Sequence, residues 1–172
     1  MEKYSREIEY QKEGAAFKVV LTVNSPDIFE KALQQKNIRD KKGEEWLSAL
    51  IAYIRTKSAV LVVDCYKDGE RHDGLNGEPA VQIFSDNGKI VANKHFQRGR
   101  LSDGANGEPA VQMFDDRFRL VHAVSYKNGE QVKVLSELER EGYMFQWAQK
   151  NAGKAPADNK KPHSPTGGMK LG

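Results

Sequence analysis

Residues 73–84 read DGLNGEPAVQIF and residues 103–114 read DGANGEPAVQMF, ten identities in twelve positions at an offset of 30. A match of that quality inside one 172-residue chain is an internal repeat. A repeat marks one supersecondary unit stacked on copies of itself, because a single copy cannot bury its own apolar face. The periodicity extends outward. Tyr66-Lys67-Asp68-Gly69-Glu70, Phe96-Gln97-Arg98-Gly99-Arg100 and Tyr126-Lys127-Asn128-Gly129-Glu130 recur in the same phase, and the segments 60–66, 90–96 and 120–126 align with one another. Two full units and a partial leading one are therefore predicted over residues 59–134.

Each unit reads as two strands and two turns. Residues 79–84 are rich in β-formers and end at Ser85-Asp86-Asn87-Gly88. Asn-Gly between apolar runs predicts a type I′ hairpin, whose two central residues both need positive φ. Residues 89–96 form the return strand, and Gln97-Arg98-Gly99 turns the chain again. In the second unit Asp115-Asp116-Arg117-Phe118 lacks a glycine, so a turn of another type or length is expected there.

The DGxNGEPA element is dense turn chemistry. Asp73, Gly74, Asn76, Gly77 and Pro79, with Asp103, Gly104, Asn106, Gly107 and Pro109, are read as structural turns. In that reading the two aspartates close Asx-turns, Gly77 and Gly107 take positive φ, and each proline opens a strand without forfeiting a ladder bond. Asp73, Asn76 and Glu78 also suggest a calcium cluster, but the spacing is not that of an EF-hand and three oxygens fall short of six to eight ligands. No metal and no cofactor is expected.

The flanks differ in kind. Residues 16–23 (AFKVVLTV) read as a strand, and Ser25-Pro26-Asp27 as the cap and first turn of a helix carrying Ile28, Phe29, Ala32 and Leu33. Residues 34–43 are a polar connection. Residues 44–57 place Trp46, Leu47, Leu50, Ile51 and Ile54 at helical spacing, and residues 59–66 return to strand. A Ser136-x-x-Glu139 capping box opens a helix over 136–150 with Leu138, Tyr143, Phe145, Trp147 and Ala148 as its apolar members. The fold class is thus α+β. It is an antiparallel β-meander of 30-residue hairpin repeats, flanked by an N-terminal strand and two helices and by a C-terminal helix. The segments are 1–58, 59–134, 135–150 and a basic tail, 151–172, in which no order is expected.

At 38% hydrophobic and 30% charged, one compact domain plus tail is expected. No apolar run approaches a membrane span, the first residues lack a secretory signal, and the single cysteine, Cys65, fits a reducing compartment. A cytoplasmic location without membrane contact follows as an expectation. The tail carries a formal charge of +3, equal to that of the whole chain, so residues 1–150 balance. That argues against a basic folded face, although Lys94, His95, Arg98 and Arg100 cluster around Phe96.

No HExxH, CxxC, Walker, GxSxG or dinucleotide-binding motif occurs. The histidines are His72, His95, His122 and His163, and His95 and His122 stand at different repeat phases. A pocket gathering Asp64, Cys65 and His72 would be needed for an enzyme. Cys65 itself reads as a buried, inert thiol. A protein without catalytic activity is expected.

The units resemble MORN-type repeats, especially those of bacterial YwqK-like antitoxin proteins. The likeness is carried by Phe84-Ser85-Asp86-Asn87-Gly88-Lys89 and by the Phe96-Gln97-Arg98-Gly99-Arg100 and Tyr126-Lys127-Asn128-Gly129-Glu130 segments. It covers about 75 residues, with a longer period and without that family's Gly-Glu-Trp signature. It implies a meander used as a binding surface with no intrinsic chemistry. The expected function is recognition of another protein, as an immunity protein, an antitoxin, or a phage or mobile-element inhibitor of a host defence complex. The alternative is a nucleic-acid binder using the tail and the cluster of Lys94 to Arg100. Lys94, His95, Phe96, Arg98, Arg100, Tyr66 and Tyr126 are the candidate partner-binding residues, the aromatic ladder serving as core or as contact surface. A free sheet edge would permit dimerisation.

Overall fold

The computed structural model describes residues 2–152. Its elements in chain order are β1 (Tyr4–Lys12), β2 (Ala15–Val23), α1 (Ile28–Leu33), α2 (Lys36–Arg39), α3 (Gly43–Arg55), β3 (Leu61–Lys67), β4 (Glu70–Arg71), β5 (Val81–Phe84), β6 (Ile90–Lys94), β7 (Phe96–Gln97), β8 (Arg100–Leu101), β9 (Val111–Phe114), β10 (Leu120–Lys127), β11 (Glu130–Val134) and α4 (Glu137–Lys150). The fold is α+β. One antiparallel sheet runs β1-β2-β3-β5-β6-β9-β10-β11, with β4 on β3 and a separate β7-β8 ribbon. No helix of the described residues is long and apolar enough to cross a membrane.

Strand alternation gives the sheet two unlike faces. Paired registers align Val23 with Leu61 and Phe84, and Leu21 with Val63 on one face. That face is buried, and Ile28, Phe29, Ile38, Leu50 and Ile54 from α1, α2 and α3 pack on it in one apolar cluster. Further along the array, Phe114, Leu120 and Ala123 join the cluster, and Tyr143 and Met144 of α4 rest against it. Between the two helical covers the row that began as Leu21 and Val63 continues as Gln82, Asn93 and Gln112 before returning to Ala123.

Several expectations need correction. The N-terminal strand is a hairpin: β1 pairs along its whole length with β2 through Glu13-Gly14. Ser25 is not the cap of α1. Its hydroxyl donates to Asp27 Oδ1 at 2.9 Å, and Asp27 occupies the cap position. The polar connection contains α2, which buries Ile38 completely. On α4 the inward residues are Tyr143, Met144 and Trp147, whereas Leu138, Phe145 (65% exposed) and Ala148 face outward. The first half of the capping box forms as expected, with Glu139 N donating to Ser136 Oγ at 3.2 Å, while the Glu139 carboxylate accepts from the Ser136 hydroxyl at 3.1 Å. Residues 153–172 of the expected basic tail, with Lys154 and its neighbours, lie outside the described residues.

The turns are also reassigned. Type I′ geometry belongs to Glu13-Gly14, Asp68-Gly69, Arg98-Gly99 and Asn128-Gly129, where both central residues have positive φ. At Ser85-Asp86-Asn87-Gly88 only Gly88 does (φ 80°), and its N–H donates to Ser85 O at 2.9 Å. With the register shift beside it, this is a type I turn closed by a left-handed residue and a bulge. The second unit uses the same turn. Phe118 takes φ 60°, its N–H donates to Asp115 O at 3.1 Å, and the register shifts likewise. The missing glycine changed neither turn type nor length. The stacked rings of Phe114 and Phe118, 4.8 Å apart, and Trp147 at 5.3 Å hold Phe118 in that conformation.

Candidate functional site

Each repeat is closed by an inward-turned carboxylate. Asp73 Oδ1 accepts from Ala80 N and Phe96 N, both at 2.9 Å, while Oδ2 accepts from His95 Nδ1 at 2.7 Å. Asp103 repeats the arrangement with Ala110 N (2.8 Å), Tyr126 N (3.0 Å) and the hydroxyl of Ser125. Neither aspartate closes an Asx-turn. Each bonds residues seven and about 23 positions ahead, fastening its loop to the aromatic strand at the far end of the same unit. The rest of the loop is self-contained. Gly74 N donates to Glu78 O, Gly77 N to Gly74 O, and the Glu78 carboxylate accepts from Asn76 N. Asn106 N and Glu108 mirror that last bond. Gly77 and Gly107 hold φ 85° and 84°. A side chain at Gly74 or Gly104 would displace the carboxylate of Glu78 or Glu108, which accepts from Asn76 N or Asn106 N, so these two glycines make room for the loop's own bond. Asp73 and Glu78 turn to different partners, and among the described residues no three His, Cys, Asp or Glu side chains gather into a metal site.

The hub decides how the aromatic hairpins are presented. Gly99 N donates to Arg71 O at 2.9 Å and Gly129 N to Leu101 O at 2.7 Å, which ties successive tips in series. Tyr66, Phe96 and Tyr126 are all half-buried along this ladder, neither fully core nor free surface. Arg71 lies between the first two rings, 5.6 Å from Tyr66 and 5.3 Å from Phe96, and its Nη2 pairs with Asp64 Oδ1 at 2.8 Å. Lys18 stacks on the other side of Tyr66 at 5.1 Å.

The sheet face opposite the helices carries these groups. Registers align Thr22, Val62, Ile83, Ala92, Met113 and His122 in one row, and Val20, Asp64, Val81, Lys94, Val111, Val124 and Val134 in the next. Val81, Ala92 and Val124 are buried in its floor, whereas Met113 (46%) and Val134 (51%) are exposed. The buried apolar residues of α1, α2 and α3, and Tyr143 and Met144 of α4, join the cluster on the other side. Arg98 and Arg100 stand exposed on the middle tip. No family model, curated protein or solved structure matches this chain. Its reading therefore rests on its own residues.

Of the candidate residues, Tyr66, Lys94, Phe96 and Tyr126 share this side by strand alternation, whereas Arg98 lies in the turn of the β7-β8 ribbon and Arg100 pairs with Gln97 on the face of that ribbon away from Phe96. His95 does not share this side. It is 2% exposed and bonded to Asp73, because the strand alternation that brings Lys94 and Phe96 outward turns it inward. Val62, Ile83, Met113 and Val134 were missed as contact residues. Their period-two spacing is a signal, but the sequence does not say which face the helices will cover. The possible catalytic trio is dispersed. Asp64 pairs with Arg71 on the open face, Cys65 lies on the covered face, and His72 Nδ1 donates to Asp73 O at 2.8 Å. Burial, reinforced by Glu78 and Asp73, pushes the Cys65 thiol up to about 12, which leaves little thiolate near neutral pH.

Proposed function

We propose that this chain is a non-enzymatic binding protein that docks another protein on its open sheet face. The observation that carries the reading is the uncovered row of Val62, Ile83 and Met113 with Val134 beside it, bordered by the aromatic ladder and the charged Asp64 and Lys94, with Arg98 and Arg100 exposed on the neighbouring tip. Exposed apolar surface of this kind, rimmed by charge, is how interaction faces are built. The partner's matching surface presents apolar side chains ringed by acids. The repeat copies differ on this face: Asp64, Lys94 and Val124 are equivalent, as are Val62, Ala92 and His122. A shared scaffold with divergent contacts suits recognition of one irregular protein surface. The MORN-like resemblance, a cytoplasmic setting, and a role as immunity protein, antitoxin or phage-encoded inhibitor are consistent with this reading and belong to the proposal.

Nucleic acid is less well served. Arg100 has Glu70 and Glu130 as its repeat equivalents on the flanking tips, so the basic stretch is interrupted by acids. The test is quantitative capture from the native host by the full chain and by Met113→Glu and Arg98→Glu/Arg100→Glu variants, with Phe145→Ser on the outside of α4 as control. A stoichiometric protein retained by the control and lost at least tenfold by the face variants supports the proposal. Recovery of no stoichiometric protein, equal recovery by all variants, or recovery of nucleic acid that falls steeply with salt, overturns it.

A further inference from the structure

On the opposite side of the sheet, where α4 meets the array, a cavity of about 110 Å³ has Asn93, His95 and Glu108 as its polar wall and Phe118, Tyr143 and Trp147 as its aromatic wall. We propose that this cavity binds a small organic cation: the ammonium or guanidinium head of a lysine- or arginine-type side chain.

The hydrogen bonding of the polar wall points to a donor-rich ligand. Asn93 is 6% exposed and its Oδ1 is buried without any partner. It ends a chain in which Asn93 Nδ2 donates to Gln112 Oε1 at 3.5 Å and Gln112 Nε2 donates to Tyr143 Oη at 3.1 Å. All the donors of that chain run away from Oδ1. A buried carbonyl oxygen left unmatched is costly, so a partner is expected at that place. His95 adds a second polar atom. Its Nδ1 is engaged by Asp73 Oδ2 at 2.7 Å, which leaves Nε2 as the ring nitrogen without that bond. Glu108 contributes negative charge.

The aromatic wall and the size narrow the class. Aromatic faces attract ammonium and guanidinium groups, and Phe118 and Trp147 already meet edge to face at 5.3 Å. A cavity of about 150 Å³ accepts benzene, so the smaller volume here suits a single cationic head. Glu108, Tyr143 and Trp147 also line a wider groove that reaches Lys150 and Asn151 at the end of α4. A ligand's stem can lie there, beside the carbonyl end of the helix dipole. The head belongs either to an external peptide or to a lysine of this chain's own residues 153–172, four of which are lysine.

The test titrates the full chain with propylamine and with methylguanidinium at constant ionic strength, following both indole N–H resonances by NMR. Saturable movement of Trp147 with Trp46 unmoved is expected. The affinity should fall at least fivefold in Glu108→Gln and rise in Asn93→Asp. Glu108 accepts only a local loop bond, so its variant remains interpretable if Asn93→Asp fails to fold. Replacing Lys154, Lys160, Lys161 and Lys170 by Gln distinguishes the sources. A shift of the free protein's Trp147 signal with tighter amine binding identifies the chain's own lysines, and an unchanged titration identifies an external one. No saturable shift, or an equal shift with sodium acetate, overturns the proposal, the latter because it would mean that the amide chain runs in the opposite direction.

Discussion

At the scale of single residues, the repeat owes its coherence to one carboxylate per unit. Asp73 satisfies two backbone N–H groups and an imidazole at once, all of them buried. Asp73→Ala should therefore cost about 3–5 kcal/mol in chemical denaturation, several times a typical surface substitution, because three donors lose their acceptor together. Asp73→Asn keeps one acceptor and should fall between. Phe118 sets two effects against each other. Glycine would relieve a left-handed backbone costing roughly 1–2 kcal/mol, but removing a half-buried ring stacked on Phe114 and Trp147 forfeits roughly 2–3 kcal/mol, part of the full core cost. Phe118→Gly should lose about 1 kcal/mol net, read as a lower unfolding midpoint. The glycines and prolines of this loop were legible in the sequence as turn chemistry. The role of its aspartate was not, since its partners lie almost a full period away and no local rule reaches that far.

At the scale of elements, hairpin chemistry was legible and its exact distribution was not. Asn-Gly serves a type I′ turn and a bulged type I turn equally well, and only the pairing register separates them. The first strand escaped notice because only Tyr4, Ile8 and Tyr10 mark its inward side, the rest being polar as an edge strand requires. The mobile-looking polar stretch before α3 hid a helical turn because Ile38 alone signals it. Arg98 is the least suitable of the four residues opening the type I′ turns, and it is exposed. Arg98→Asn should raise the melting temperature by a few degrees, worth about 0.5–1 kcal/mol, because asparagine tolerates the left-handed region. The strand β3 gives a pH signature. Its Cys65 thiol is ordinarily near 9 and is pushed up to about 12 by burial first, then by Glu78 and Asp73. The folded state favours the neutral thiol, so this contribution is complete below pH 9 and is lost as pH rises toward 12. Stability of the wild type should drop more steeply across that interval than that of Cys65→Ala. Tyr10, also raised to about 12 by burial first and then by Cys65, titrates in both proteins, and the loss of its Cys65 neighbour in the variant adds to the difference with the same sign.

At the scale of the whole molecule, helices on one sheet face leave the other free, and the free face is where the copies diverge. Which face would be free depended on where α3 and α4 return, a long-range matter that periodicity alone does not decide. The two edges, β1 and β11, are unpaired among the described residues. Lys133 on β11 pairs with Glu139 at 2.5 Å, placing a charge on that edge, a common guard against strand addition. A dimer formed through β11 should therefore appear only when Lys133 is replaced by an apolar residue, as measured by sedimentation.

The aspartate links have a consequence for how such a protein can change. Each one closes within its own unit and makes no demand on how many units follow, so the array behaves as a ruler with interchangeable gradations. A tandem copy of residues 73–102 inserted before Asp103 should fold in frame between the same two helical ends. It would widen the molecule without redesigning either end, so lineages could fit partners of different span by counting units rather than by reshaping them.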